Sequence, residues 1–204
     1  MTELKDRILK ETETLFCQYG IKRITMDDIA KHLGISKKTI YQHFKDKNEI
    51  VHMVIAEMLS RETCVMDRNE TESENAVHEI FLVVTHLREM LSKINPMIFF
   101  DMNKYHPATW QLFKDYRFQY MKSCVMRNME RGIAEGYFRK EINMEIMAIM
   151  RMEQVDLVFN QVAFMPGKYN LSEVLTEVTE HYLYGLCNLK GHKLVNKYKQ
   201  ITEE

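Results

Sequence analysis

Apolar residues recur along this chain at intervals of three and four, the repeat of an α-helix that buries one face. Ile8, Thr12, Leu15, Phe16 and Tyr19 share such a face in a first helix that starts after Thr2 and stops at Gly20. Thr25-Met26-Asp27-Asp28 is a capping-box variant, a hydroxyl accepting from the first turn while a carboxylate three residues on reaches back. Ile29, Ala30 and Leu33 form the inner side of the second helix, and Gly34 closes it. Ser36 caps a third helix after only a short turn, so helices two and three must cross steeply and share one small core with the first.

The pattern continues helical to the end. A fourth helix spans Asp46, a cap with Glu49 three residues on, to about Asp67, and the polar run 67–75 reads as a boundary loop. "AVHEIFLVVTHLREMLSKI" predicts a fifth helix, "PMIFFDMNKYHP" a short one broken between prolines, and residues 108–135 a longer one closed near Gly132 and Gly136. Two more follow, over about 142–165 and 171–190. Only three prolines and seven glycines, with 16 methionines, suit long helices and adaptable packing. The fold class is therefore all-α: an N-terminal three-helix helix-turn-helix unit over 1–48 and a C-terminal helical unit over 49–204, the helix 46–67 connecting them.

Charge sharpens the division. Residues 1–48 hold ten Lys/Arg against seven Asp/Glu, a balance of +3, so a total of −1 leaves −4 for the remainder. A basic end on an acidic body suggests that the first segment meets a polyanion. In the third helix Ile40 and Phe44 point to the core, while Lys38, Thr39, Gln42 and His43 occupy the opposite arc, with side chains suited to base edges in a major groove. Lys37, Tyr41 and Lys47 stand at the flanks and ends, where phosphates run, and the caps Thr25 and Ser36 are counted with the same surface. Spacing alone leaves a second reading open, a helical ligand-carrier or interaction module whose helix-turn-helix contacts protein instead of DNA.

The run "ITMDDIAKHLGISKKTIYQHFKDKNEI" resembles the DNA-binding signature of the tetracycline-repressor (TetR) family, and the likeness covers residues 7 to about 55. The Thr-x-x-Asp-Ile-Ala cap, the Gly-Ile-Ser turn, the Thr-Ile-Tyr-x-His-Phe core and the Lys-x-Glu-Ile opening of the fourth helix fall in register. The resemblance implies a transcriptional regulator of double-stranded DNA, a repressor with a cavity for a small effector; the symmetry of a dimer would make the operator palindromic, and the aromatic residues of the second segment would make the effector mainly apolar. It implies operator contacts from Thr39, Tyr41 and His43 and a phosphate contact from Lys47. Lys38 stands where the family often has a small residue. The family also implies a homodimer formed through the two final helices.

Beyond about residue 60 the resemblance fades. Phe99, Phe100, Tyr105, Trp110, Phe113, Tyr116 and Tyr120 crowd the middle of the second segment, either as plain core or as the wall of a ligand pocket. Glu153, Asp156 and Asn160 draw a polar stripe, next to Phe159, down an otherwise apolar helix; such a stripe needs partners, and an unpaired carboxylate there would favour a mainly apolar ligand with a hydrogen-bond donor or a cationic group. Met147 and Met150 on that helix, with Val174, Val178, Tyr182 and Leu186 on the last, form seams suited to a four-helix interface between two copies, or to the interior of one.

Other chemistries find less support. Glu177 and His181 are the neatest metal-type pair, but two ligands are not a site, and no HExxH, P-loop or GxSxG run occurs, so no metal, no cofactor and no enzymatic activity is expected. Met144–Met165 is long enough to span a bilayer, yet Glu145, Arg151, Glu153 and Asp156 interrupt it, which argues against a membrane. Four scattered cysteines without a CxxC pair suit a reducing cytoplasm, with a redox pair as the sharper alternative to core thiols.

Overall fold

The computed structural model describes residues 2–158, 163–165 and 168–201. Its α-helices run, in chain order, α1 (Thr2–Tyr19), α2 (Met26–Leu33), α3 (Lys37–Tyr41), α4 (Lys47–Glu72), α5 (Ala76–Lys93), α6 (Met97–Tyr105), α7 (Pro107–Asp115), α8 (Lys122–Ala134), α9 (Met144–Val158), α10 (Leu171–Leu186) and α11 (Leu189–Tyr198). A π-helical turn, Tyr116–Met121, joins α7 to α8. Among the described residues no strand forms, and an isolated bridge pairs Phe138 with Cys187.

Two compact units result. One holds the residues up to Glu62 together with Lys93–Tyr116; the other holds Thr63–Ser92 together with the residues from Arg117 onward. The first unit thus extends well past residue 48. Ile8, Phe16, Ile29, Ile40 and Phe44 alone would leave the three-helix core open on one side; Ile50, Val51, Val54 and Ile55 of α4 and Ile98 and Met102 of α6 close it. In the second unit Met129, Phe138, Ala148, Leu183, Leu186 and Val195 make one core, and Leu91, Val158, Val174 and Leu175 another.

Tertiary partners moved two element ends. Residues 67–75, read as a loop, are helical as far as Glu72: Arg127 forms a bidentate pair with Glu70, its Nη2 2.8 Å from Oε2, while Arg131 donates to the Glu70 carbonyl at 3.1 Å and the Ser73 hydroxyl at 2.6 Å. These guanidinium contacts outweigh the turn preference of a polar run. At the other end α11 replaces the expected tail of α10. The chain turns at Cys187, and the Asn188 side chain accepts the Gly191 amide at 3.0 Å to start a new helix.

Close approach fixes two glycines, Gly132 and Gly191, the latter because a Cβ there would stand 2.3 Å from the Tyr137 carbonyl oxygen. A Cβ on Gly132 would stand 2.1 Å from Cδ2 of Phe138, whose ring is fully buried. Gly132→Ala should therefore destabilise the protein by about 1 to 3 kcal/mol through overpacking, measured as a lowered midpoint in urea with an unchanged m-value.

Candidate nucleic-acid interface and ligand cavity

The α2–α3 turn is built by its caps. Asp28 takes the Thr25 amide at 2.8 Å and hydroxyl at 2.6 Å while its own amide donates to Thr25 Oγ1 at 3.2 Å, and these bonds hold its carboxyl below the usual range. Gly34, at φ 66°, ends α2 in the left-handed region that a side chain disfavours. Ser36 Oγ accepts the Thr39 amide at 3.0 Å and lies 2.8 Å from the Thr39 hydroxyl. Thr25, Ser36 and Thr39 are thus engaged in shaping the turn as well as standing near its surface.

α3 has only five residues, although the Phe44 amide still reaches the Ile40 carbonyl at 3.0 Å and carries the coil onward. Ile40 and Phe44 face the core; Lys37, Lys38, Tyr41 and Gln42 are exposed, Tyr41 by 49%, and His43 is half-buried. Lys37 pairs with Asp27 at 2.9 Å. Lys38 and Gln42 make no side-chain bond to another described residue, so both are available to a ligand.

Lys47 is placed differently from the exposed phosphate contact that the sequence suggests. Its Nζ donates to the Ile21 carbonyl at 2.6 Å and lies 6.0 Å from the centroid of the Phe16 ring. Burial pushes its pKa down, against the attraction of Asp101 and Asp28. On the other side of the same turn Asp101, 3% exposed, accepts the Lys22 amide at 2.8 Å, and Asn95 donates its amide to Cys17 O at 2.7 Å. Asp101 and Asn95 were missed in the sequence. The available signal was a lone carboxylate among the apolar residues of "MIFFDM".

The aromatic group proposed as a pocket wall is not brought together as one. Phe113 meets Phe99 and Trp110 with tilted rings, centroids 5.5 and 5.4 Å apart, and Phe99 and Trp110 pack on the core of the first unit. Phe100 is 45% exposed with Lys104 over its ring. Tyr116 is half-buried at the start of the π-helical turn, and Tyr120, in the second unit, donates to Thr63 O at 3.0 Å and Asp67 Oδ1 at 2.5 Å. Glu153 is exposed, and Asp156 meets Arg117 at 2.6 Å, so the stripe offers no unpaired buried carboxylate. Phe159 and Asn160 lie outside the described residues.

A cavity of about 80 Å³ does exist in the second unit, with other walls: Met66, Ile80, Leu87, Val125, Met152 and Tyr182 supply apolar surface, and Glu70, Glu79, Asn128 and Arg151 polar groups. Burial raises the Glu79 pKa, against Asn128 and Arg131, which lower it. Arg151 had shown itself in the sequence only as a charge interrupting an apolar run.

Burial also redistributes the residues assigned to a dimer seam. Val174, Tyr182 and Leu186 are interior to the single subunit and have little area left to give a second copy, while Met147 and Val178 are half-buried against its cores. Met150 is exposed, and it shares an open face of α9 with Ile146, Ile149 and Leu157. All four cysteines are free thiols; burial pushes Cys17 up to about 11 and Cys187 up to about 12, which leaves both largely unreactive at neutral pH. Among the described residues no group of three or more His, Cys, Asp or Glu could hold a metal ion, and no helix is long and apolar enough to cross a membrane.

Comparison with known proteins places these features. Residues 8–54 match the family model of bacterial regulatory proteins of the tetR family. The uncharacterised HTH-type transcriptional regulator YvaF of Bacillus subtilis (strain 168) is 24% identical over 181 residues, which is 88% of this chain and 94% of YvaF. A regulator from Saccharomonospora viridis, solved in complex with choline, has the same fold at TM-score 0.74 and 18% identity, over 92% of this chain and 100% of that one. The regulator FadR of Bacillus subtilis, solved in complex with stearoyl-CoA, matches at TM-score 0.65 and 16% identity, over 88% of this chain and 97% of FadR.

The geometry separates surface contacts from structural ones. Lys38→Ala and Gln42→Ala should relax sequence preference, each good base contact being worth roughly 1 to 3 kcal/mol of discrimination. Lys47→Met should instead lower stability by about 1 kcal/mol for the lost hydrogen bond while leaving the salt slope of DNA binding unchanged. A slope flattened by about one unit would return Lys47 to the phosphates.

Proposed function

From the match of residues 8–54 to the tetR family of bacterial regulatory proteins, we propose that this chain is a homodimeric repressor that reads a palindromic operator through α3 and is released by a small, mainly apolar ligand. The observation that carries this reading is the outward arc of α3: Lys38, Tyr41 and Gln42 are exposed on a helix whose opposite side, Ile40 with Phe44, is sealed in the core. A helix held that way offers its polar arc to a groove of complementary width. A dimer parked on an operator blocks transcription by occupancy alone. Such a protein acts where the DNA is, in the cytoplasm.

Two copies of α3 must face half-sites about one helical turn apart, roughly 34 Å, which needs a twofold partner. Ile146, Ile149, Met150 and Leu157, spaced along one face of α9, are the exposed apolar residues available for that contact. The effector belongs in the cavity of the second unit. Proteins of the same fold were solved with choline in one case and stearoyl-CoA in another, so the likeness itself does not choose a ligand class. α4 contributes Ile50 and Val54 to the core of the first unit, while its Met66 and Glu70 line the cavity of the second. A ligand that favours one setting of this helix would shift the fraction of protein competent for DNA, and only in proportion to its differential affinity.

Selection of bound sequences from random DNA tests the function directly. A two-part symmetric site is expected, and recovery of no preferred sequence would overturn the reading in favour of a protein-contacting helix-turn-helix. Ile149→Glu should both break the dimer, seen by analytical ultracentrifugation, and abolish tight binding to the selected site. A monomer that kept native operator affinity would refute the link between the two.

A further inference from the structure

Three of the more buried arginines of the second unit are answered by carboxylates. Arg117 meets Asp156, Arg127 meets Glu70, and Arg131 meets Glu79 and Glu135. Arg151, 6% exposed on α9, forms no ion pair with a described carboxylate. Its Nη2 donates to the Thr179 hydroxyl at 2.9 Å, and its guanidinium carbon lies 4.9 Å from the centroid of the Tyr182 ring. Its Nη1 is buried without any hydrogen-bond partner.

A buried guanidinium with an idle nitrogen is a standing cost to the fold, since the group has lost its water and gained neither counter-charge nor full hydrogen bonding. Tyr182 offers a ring face and Thr179 a neutral oxygen, and neither supplies negative charge. Arg151 forms part of the wall of the cavity, whose other surface is mostly apolar, with Met66, Leu87, Val125 and Met152 among it. The two carboxylates on that wall, Glu70 and Glu79, are already answered by Arg127 and Arg131.

We propose that this cavity is a receptor for a small apolar carboxylate whose anionic end takes Nη1 of Arg151 and whose hydrocarbon body lies among the methionines and aliphatic side chains. The proposal rests on the reading of the second unit as ligand-responsive and names the class of its effector. A cation would add its charge to an uncompensated arginine. A dianion would bring one charge too many beside Glu70 and Glu79. A neutral alcohol could bond to Nη1 but would leave the charge unanswered. Size sets the length: about 80 Å³ corresponds, on the same measure, to roughly five to eight waters, or a carboxylate of about six carbons. Met66, Met121 and Met152 in the wall can turn aside for somewhat longer chains.

The test is calorimetric titration of the full chain with sodium hexanoate, hexan-1-ol and hexylammonium chloride, extended through carboxylates from butanoate to decanoate. The best carboxylate should bind at least about tenfold tighter than the alcohol or ammonium of equal length. Arg151→Met should lose that advantage, and Arg151→Lys should keep part of it. Equal or tighter binding of the ammonium or alcohol, no binding anywhere in the carboxylate series, or unchanged carboxylate affinity in folded Arg151→Met would overturn the proposal. If Arg151→Met does not fold, the comparison of matched ligands on the unaltered protein decides alone. Adding the best carboxylate to the protein bound to its selected DNA then separates the two readings: binding without release leaves the anion site standing and removes only its use as an effector site.

Discussion

The turn after α1 is held from two sides, by a half-buried ammonium and a buried carboxylate, and the presentation of the recognition surface depends on it. The Lys47 ammonium of α4 takes the Ile21 carbonyl, and the Asp101 carboxylate of α6 takes the Lys22 amide. The Ile21 carbonyl also accepts the Ile24 amide at 3.3 Å, so Lys47 adds a second donor there, while Asp101 gives the Lys22 amide its acceptor. The two contacts fix where α1 ends and α2 begins, and the capping box and left-handed glycine then leave α3 a single direction. A helix of five residues has little intrinsic stability. Its order is borrowed from Ile40 and Phe44 in the core and from this pinned turn.

The second unit follows a different electrostatic logic. Arg127 and Arg131 are each satisfied several times over and act as clamps, tying α8 to the end of α4 and to the Ser73 turn. Such multiply bonded guanidinium groups stiffen the junctions they touch. Arg151 has fewer partners than it can use, and it stands where the packing is incomplete. Incomplete packing and incomplete pairing at one place are what a binding cavity requires, since a site fully satisfied by its own protein has nothing left for a ligand.

Periodicity and capping, which act over a few residues, could be read directly from the sequence. They determined the all-helical class, the start and stop of α1 and α2, the short turn before α3, and the division of α3 into a core side and a polar side. The motif with its fixed offsets also made the resemblance to the tetR family legible, because a cap, a turn and a two-residue core must fall in register for two short helices to share one small core.

Tertiary structure alone decided what depended on distant partners. Whether residues 67–75 coil or turn rested on Arg127 and Arg131, more than fifty positions away. Whether Lys47 faces outward rested on a carbonyl across the unit, and whether Phe99, Trp110 and Phe113 line a cavity or fill a core rested on which helices meet them. Tyr182 and Leu186 have the same spacing whether they face a second copy or their own interior; burial put them inside. The polar stripe of α9 was visible, but the sign of the uncompensated charge was not: Asp156 found Arg117, and Arg151 found no carboxylate among the described residues. Local pattern is set by bonds that close within a turn of the chain, whereas compensation of charge and filling of volume are settled only when remote segments arrive.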